Sequence, residues 1–127
     1  MNQELTLAVS SSFEAAHYLV NPTAFNEKCL KLHGHSYKYT IFLKGEVQDG
    51  GMVEDFGAIK RYIINEITKL YDHSDLNRFF YNPTAEMLVL DMAWRVEALI
   101  EDNSLKVKLT KIELAETDNN RVIWESQ

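Results

Sequence analysis

The sequence predicts an α+β fold in which two helices cover one face of an antiparallel sheet. Three observations support this prediction. Apolar residues alternate with other residues in the first third of the chain, recur at helical spacing in the middle third, and alternate again in the last third. The predicted order is ββ–αα–ββ. Because the chain has 127 residues, no internal repeat and no linker-like segment, we expect one domain over residues 1–127.

The first third contains two predicted strands. Leu5, Leu7 and Val9 occupy every second position, which is the period of a half-buried strand. A loop around Asn21-Pro22 precedes a second alternating segment, residues 35–47. The predicted apolar side of this second strand consists of Tyr37, Tyr39, Ile41 and Leu43.

The middle third contains two predicted helices, separated by a polar loop at residues 72–77. The second helix begins near Pro83, with Asn82 or Thr84 as its N-cap. The apolar stripe of the first helix is Ile59, Ile63, Ile67 and Leu70. The predicted buried face of the second helix is Met87, Leu90, Trp94 and Ala98.

The last third returns to alternation over residues 105–114, after a short polar connector at residues 101–104. Residues 117–120 have the composition of a turn, so residues 121–125 are predicted to form the return strand of a hairpin.

Composition excludes several classes of protein. The net charge is −6 and there is no basic tract, which argues against a nucleic-acid partner. No segment approaches the roughly 18 apolar residues of a membrane span, and the N-terminus lacks the pattern of a signal peptide. The single cysteine cannot form an internal disulfide. We therefore expect a cytoplasmic protein that binds neither membrane nor nucleic acid.

Three histidines indicate a metal site. His33 and His35 flank Gly34, and residues two apart on a strand project to the same face. If the first two strands form a hairpin, His17 meets this pair near the loop end. Three imidazoles with an open fourth position are typical of catalytic zinc.

Three other positions carry alternatives that the residues alone leave open. Cys29 is a small buried hydrophobe, a thiolate base or nucleophile, or a fourth zinc ligand. Asp72 and His73 are a loop ion pair or a proton relay in which the carboxylate fixes the imidazole. Glu116 is a solvated carboxylate at a turn, or it pairs with the amidine-like N–H groups of a ligand.

Taken together, these segments resemble the 6-pyruvoyltetrahydropterin synthase superfamily, and in particular its bacterial 6-carboxytetrahydropterin synthases of the queuosine pathway. The three-residue gap between Cys29 and His33 favours that branch. The segments that carry the resemblance are Phe13-Glu14-Ala15-Ala16-His17, Cys29-x-x-x-His33-Gly34-His35-Ser36, Asp55-Phe56, Asp72-His73-x-x-Leu76-Asn77, Asn82-Pro83-Thr84-x-Glu86 and Glu116-Thr117.

The resemblance implies a tunnelling fold, a four-stranded antiparallel sheet with two helices inserted between its hairpins. It implies a homo-oligomer, commonly a hexamer built as a dimer of trimers, with active sites between subunits. It also implies residue roles: zinc ligands His17, His33 and His35, a general base or acid Cys29, a proton relay of Asp72 and His73 from a neighbouring subunit, and a pterin anchor Glu116.

The activity implied first is a zinc-dependent lyase. It converts 7,8-dihydroneopterin triphosphate to 6-carboxy-5,6,7,8-tetrahydropterin, acetaldehyde and triphosphate. The alternatives are a 6-pyruvoyltetrahydropterin synthase, which eliminates triphosphate without cleaving the side chain, and a non-catalytic pterin- or metal-binding module. Candidates for holding the triphosphate are Lys28, Lys31, Lys38 and Arg121.

Overall fold

The computed structural model describes residues 3–20 and 27–127. The loop predicted around Asn21-Pro22 lies outside these residues. The strands are β1 (Glu4–His17), β2 (His33–Glu46), β3 (Ser74–Asp75), β4 (Lys108–Thr117) and β5 (Asn120–Glu125). The helices are α1 (Phe56–Ile59), α2 (Asn65–Tyr71) and α3 (Ala85–Asp102). A π-helical turn, Lys60–Ile64, joins α1 to α2, so residues 56–71 form one continuous helix.

The sheet has five strands in the order β3-β1-β2-β4-β5. The four long strands are antiparallel to their neighbours, as predicted, but β3 pairs in parallel with β1 through Ala15 and Ala16. The prediction of a purely antiparallel four-stranded sheet is therefore wrong in this detail. A two-residue strand is too short to produce an alternating pattern, and it forms because the chain leaving α2 runs along the edge of β1.

The β1–β2 hairpin positions the candidate site. Its register runs from Glu4 opposite Glu46 to His17 opposite His33 without a shift. Because side chains alternate along a strand, the odd-numbered residues of both strands face the helices over the inner half of the hairpin. The core row of Tyr37, Tyr39, Ile41 and Leu43 therefore continues directly into His35 and His33.

The first helical segment buries the predicted stripe. Ile59, Ile63 and Ile67 are at most 1% exposed, and Leu70 packs partly buried against the same cluster. The segment begins at Asp55, whose carboxylate accepts a hydrogen bond from the Ala58 amide at 3.0 Å. The side-chain spacing and the cap together explain why the helix lies against the sheet in this orientation.

The predicted buried face of α3 is wrong. Met87, Leu90 and Trp94 are 46%, 53% and 67% exposed, and Ala98 is half-buried. The face that enters the core consists of Ala85, Leu88, Val89, Met92, Ala93 and Val96. Most of the circumference of α3 is apolar, so two stripes have helical spacing and periodicity alone does not choose between them.

The N-cap of α3 is Thr84, whose hydroxyl accepts a hydrogen bond from the Met87 amide at 3.2 Å. The helix continues to Asp102, so the first half of the predicted polar connector at residues 101–104 is helical. Within residues 3–20 and 27–127, no helix is long and apolar enough to cross a membrane.

Candidate metal centre and active site

Three imidazoles meet where the β1–β2 hairpin ends. His17 on β1 lies opposite His33 on β2, and His35 lies two residues further along the same face. One ring nitrogen from each of the three lies within 4.8 Å of the other two. His17 is 1% exposed, whereas the other two are half-buried. Among the described residues, this is the one group of three or more metal-ligating side chains that approach so closely.

Backbone carbonyls fix the tautomers of two of these histidines. His17 Nδ1 lies 2.7 Å from the carbonyl oxygen of Pro83, and His33 Nδ1 lies 2.7 Å from that of Lys31. A carbonyl only accepts, so both Nδ1 atoms carry a proton and donate. In the neutral rings, the two Nε2 atoms are then acceptors with free lone pairs. A metal-ligating histidine usually donates its other ring N–H to an acceptor such as a backbone carbonyl, and this hydrogen bond fixes the orientation of the ring.

The geometry of this triad, which consists of His17, His33 and His35, is suitable for a zinc ion. The Nε2 atoms of His17 and His33 are 3.1 Å apart, with a free lone pair on each neutral ring. Two such lone pairs repel unless a proton or a cation lies between them. Zinc–nitrogen bonds of 2.0–2.1 Å in tetrahedral geometry separate the two nitrogens by about 3.3 Å. The three imidazole donors and the spacing of this pair are therefore suitable for zinc.

Glu116, near the end of β4, brings a carboxylate to the triad. Its oxygens lie 3.9 Å from His17 Nε2 and 3.8 Å from His35 Nε2. Burial lowers the pKa of His35, and the charge of Glu116 opposes this effect only in part. His35 is therefore more readily neutral, the form that binds metal, than a solvated histidine.

The triad lies on a buried phenol. The Tyr37 ring is fully buried, and its hydroxyl is 3.4 Å from His17 Nδ1. Burial, helped by the negative charge of Glu116, raises the pKa of Tyr37. The phenol therefore stays neutral and supports the imidazoles from below without competing for a metal ion.

A cavity of about 460 Å³ opens over the triad. Cys29 lines this cavity and lies on a short 3₁₀ turn, Glu27–Leu30. The Cys29 carbonyl accepts a hydrogen bond from the Leu19 amide at 2.8 Å. Glu116 and Lys28 line the cavity as well. Cys29 is half-buried and lies outside the three-histidine group. This placement favours a thiol that faces a ligand in the cavity over a fourth ligand that closes the metal site.

Asp72 and His73 lie elsewhere in the same chain. Neither lines the cavity over the triad. His73 instead borders a shallow depression with Glu14 and Ser36, and His35 of the triad lines the same depression. His73 is 80% exposed, and its Nδ1 lies 2.8 Å from the Asp72 carboxylate. The predicted pair is present, but it lies outside the cavity over the triad of its own chain.

The backbone at His73 is strained and held by β1. His73 has a φ of 58°, a left-handed conformation that costs a residue with a side chain about 1–2 kcal/mol. Its amide donates to the Glu14 carbonyl at 2.5 Å, while the Glu14 amide donates to Asp72 Oδ1 at 2.9 Å. The Glu14 amide, followed by the hydrogen bond from His73, holds the pKa of Asp72 below its usual value. Strained residues that are held in this way are found most often at functional sites.

Residues 6–127 match the family model described as 6-pyruvoyl tetrahydropterin synthase. The chain belongs to this family.

Relatives within the family carry different activities in their names. A protein of Archaeoglobus fulgidus assigned as a 6-carboxy-5,6,7,8-tetrahydropterin synthase is 34% identical, over 88% of this chain and 90% of its own length. A dihydroneopterin monophosphate aldolase of Pyrococcus furiosus is 32% identical over 84% of each chain. The solved structure of the Caenorhabditis elegans 6-pyruvoyl tetrahydropterin synthase aligns with a TM-score of 0.83 and 26% identity, over 98% of this chain and 97% of its own.

The four candidate phosphate-binding residues do not lie together. Lys28 borders the cavity over the triad, and Lys31 follows in the same segment without lining it. Lys38 and Arg121 line a separate depression on the opposite sheet face, where Lys38 lies 3.5 Å from Asp118. Of the four, Lys28 is the one placed to reach a ligand bound at the triad.

Sequence reasoning missed several groups that shape the site. The carbonyls of Pro83 and Lys31 have no side-chain signature, so no motif reveals them. Alternation predicts Tyr37 as a core residue, and its contact with His17 depends on the strand register. Glu14 belongs to the segment that carries the family resemblance, but its role depends on backbone groups that appear only in the fold.

Proposed function

We propose that the protein is a zinc-dependent lyase that converts 7,8-dihydroneopterin triphosphate and water to 6-carboxy-5,6,7,8-tetrahydropterin, acetaldehyde and triphosphate. The observation that carries this proposal is the cavity of about 460 Å³ in which the triad, Cys29 and Glu116 meet. A metal-binding triad, a thiol and a carboxylate are the groups that this reaction needs around the pterin side chain. In this proposal the protein is cytoplasmic and serves queuosine biosynthesis.

His17, His33 and His35 would hold the zinc ion. When bound, zinc supplies a Lewis acid that lowers the pKa of the substrate's side-chain hydroxyls. The carbonyls of Pro83 and Lys31 orient two of the imidazoles, so that their Nε2 atoms face each other. The buried Tyr37 beneath them excludes water from that side.

Cys29 would remove and return a proton at the substrate carbon next to the ring. It is half-buried at the cavity wall, close enough to the triad to face a ligand held there. Proton transfer by one positioned group contributes about 10²–10⁴-fold to rate. We therefore expect Cys29→Ala to bind substrate and zinc while losing most of its turnover.

Glu116 would anchor the pterin ring. A carboxylate accepts two parallel hydrogen bonds from the amidine-like N–H groups of a pterin, with the geometry it uses for guanidinium groups. Its two oxygens lie 3.8–3.9 Å from the imidazoles of the triad, at the rim of the cavity. A ring bound there would place its side chain over the metal position. Lys28, on the same rim, is our candidate for binding the phosphate chain.

Asp72 and His73 would act on a second subunit. His73 is exposed, Asp72 is half-buried, and neither lines the cavity over the triad of its own chain. We propose a homo-oligomer, a hexamer built as a dimer of trimers, in which each His73 handles hydroxyl protons at a neighbour's cavity. A mixture of His33→Ala and His73→Ala chains tests this directly. Random assembly restores both intact halves at about a quarter of the sites. If the reassembled mixture stays inactive, the shared site is wrong.

Product analysis tests the proposed reaction. Purified protein with measured zinc content is incubated with 7,8-dihydroneopterin triphosphate, and the products are identified by mass spectrometry. We expect the carboxylated tetrahydropterin and acetaldehyde in equal amounts, with Cys29→Ala and His33→Ala as inactive controls. A pyruvoyl product without acetaldehyde would identify a 6-pyruvoyl synthase instead. Pterin binding without turnover would identify a binding module.

The monophosphate aldolase relative adds one arm to the experiment. The Pyrococcus furiosus protein that is 32% identical carries that activity in its name. Dihydroneopterin monophosphate is therefore offered in parallel with the triphosphate at equal concentration. Faster turnover of the monophosphate would overturn the triphosphate assignment while leaving the metal site and Cys29 in their proposed roles.

A further inference from the structure

The last residue of α2, Tyr71, carries a buried hydroxyl that is tied to the other helix. Its side chain is fully buried, and its ring centroid lies 5.3 Å from that of Phe13. The hydroxyl donates to Asp91 Oδ2 in α3, and the same oxygen accepts from Arg95 Nε at 2.7 Å. Because a buried phenol without a partner is unfavourable, this carboxylate provides what the position requires. Tyr71, Asp91 and Arg95 thus form a polar bridge between α2 and α3.

The polar bridge ends where the candidate proton relay begins. Asp72 and His73 follow Tyr71 directly, and the Asp72 amide makes the final helical hydrogen bond to Thr68 at 2.8 Å. The chain then becomes extended at Asp72 and left-handed at His73. The Ser74 hydroxyl returns to donate to the Tyr71 carbonyl at 2.6 Å. Tyr71 therefore holds the turn at its first residue and again after His73.

The exposed imidazole has little else to hold it. His73 is 80% exposed, and its described side-chain contact is the one with Asp72. On the β1 side, Glu14 binds the backbone of His73 and the carboxylate of Asp72. On the α3 side, the hydrogen bond between Tyr71 and Asp91 immediately precedes the turn. A shift of the helix end would move both relay side chains, because no flexible residue separates them from Tyr71.

We propose that Tyr71 and Asp91 position the Asp72–His73 pair, so that the polar bridge between the helices sets the place of the exposed imidazole. This inference rests on the proposed function, in which His73 handles substrate protons. Tyr71 and Asp91 touch neither substrate nor reacting atoms, so they are positioning residues. Misplacing a catalytic group by about 1 Å can cost about 100-fold in rate, so a partial loosening should be measurable.

The test compares Tyr71→Phe with Tyr39→Phe in the full-length, assembled, zinc-loaded enzyme. Tyr39 is the matched control because it is 2% exposed and its hydroxyl bonds to Ile64 and Thr68 of the first helical segment, not to α3. We expect Tyr71→Phe to lower kcat about 10-fold, with KM within about twofold and zinc content unchanged. Tyr39→Phe should keep kcat within about twofold.

Two variants of Asp91 complete the design. Asp91→Asn retains an oxygen that accepts from the phenol and should keep most of the wild-type kcat. Asp91→Ala removes the acceptor and should match Tyr71→Phe, and the double variant with Tyr71→Phe should lose no more than either one. If Tyr71→Phe fails to fold, the Asp91 pair carries the same comparison. Equal kcat in all of these variants and wild type would overturn the inference.

A readout that does not depend on activity separates this inference from the proposed function. Hydrogen exchange of the His73 amide, which donates to Glu14, should accelerate at least fivefold in Tyr71→Phe but not in Tyr39→Phe. Unchanged exchange would overturn the positioning role even if the enzyme is a lyase. Accelerated exchange in a protein that turns over no pterin would overturn the proposed function and leave the link between the bridge and the turn in place.

Discussion

Zinc should raise the melting temperature of this protein by about 10 °C. Ligand binding to the folded state alone adds about 2.7 kcal/mol when free zinc is about 100-fold above Kd. An unfolding entropy of about 2.1 cal/mol/K per residue gives about 0.27 kcal/mol/K for the 127 residues. Dividing the binding free energy by this entropy gives the shift in melting temperature. We expect the folded state to bind zinc selectively, because β1 and β2 bring the three imidazoles together only when paired.

The assay compares thermal unfolding with and without zinc for wild type, His33→Ala and His73→Ala. Loss of an outer-shell partner weakens metal affinity by up to about 100-fold, and loss of a ligand costs at least as much. At the same zinc concentration, the melting temperature of His33→Ala should then shift by at most about 1.5 °C. His73→Ala is the matched control, because His73 is 80% exposed and lies outside the triad, and it should keep the full shift.

Two outcomes would refute this reasoning. If all three proteins shift equally, zinc binds elsewhere. If wild type shows no shift at saturating zinc, the facing Nε2 atoms of His17 and His33 do not form a metal site. Each comparison is made within one variant, so a change in the basal stability of His33→Ala does not affect it.

Three further predictions follow from other parts of the molecule. Met92→Ala should lower the free energy of unfolding by about 2–5 kcal/mol in urea titrations. Leu90→Ala, two residues away and 53% exposed, should change it by less than about 1 kcal/mol. Equal losses of stability in the two variants would show that the buried face of α3 is wrongly assigned. Metal-free protein should lose stability as the pH falls below about 6.5, because burial lowers the pKa of folded His35 and the unfolded chain then binds more protons. A urea midpoint that is constant between pH 7.5 and 5.5 would contradict this, as would a dependence of the midpoint on pH that is unchanged in His35→Gln. Cys29→Ser should bind zinc with wild-type stoichiometry by metal analysis, since the sulfur lies outside the histidine group, and a loss of zinc would instead make Cys29 a ligand.

Much of the fold could be predicted because the apolar residues of each long strand and of the first helix recur at a single spacing. The alternation in β2 and the stripe from Ile59 to Ile67 both appear in the core as expected. The second helix could not be oriented in this way, since Leu88 and Leu90 both lie on apolar stripes. Tertiary packing selects between such stripes, and that information is not local. The same applies to β3, which forms because β1 offers it an edge.

The candidate site divides in a similar way. His17, His33 and His35 could be brought together from strand pairing alone, because alternation and a hairpin suffice. The placement of Asp72 and His73 outside the cavity over the triad depends on a left-handed turn and on Glu14 backbone contacts, which have no composition signal. The polar bridge of Tyr71, Asp91 and Arg95 was missed because an aromatic residue at a helix end looks like core, and its acceptor lies 20 residues away.

The three-residue separation between Glu14 and His17 also limits how this sequence can vary in length. The backbone amide and carbonyl of Glu14 hold the turn at His73 along the edge of β1, whereas the side chain of His17 faces the metal position. Successive residues of a strand alternate both in the edge to which their backbone groups point and in the face that their side chains occupy. Deleting or inserting one residue between them would therefore turn either the Glu14 backbone groups to the wrong edge or the His17 side chain to the wrong face, whatever residue is added or removed. Length variation should therefore accumulate in the loop after Glu46 or in the hairpin at Asp118, and be absent from the last residues of β1.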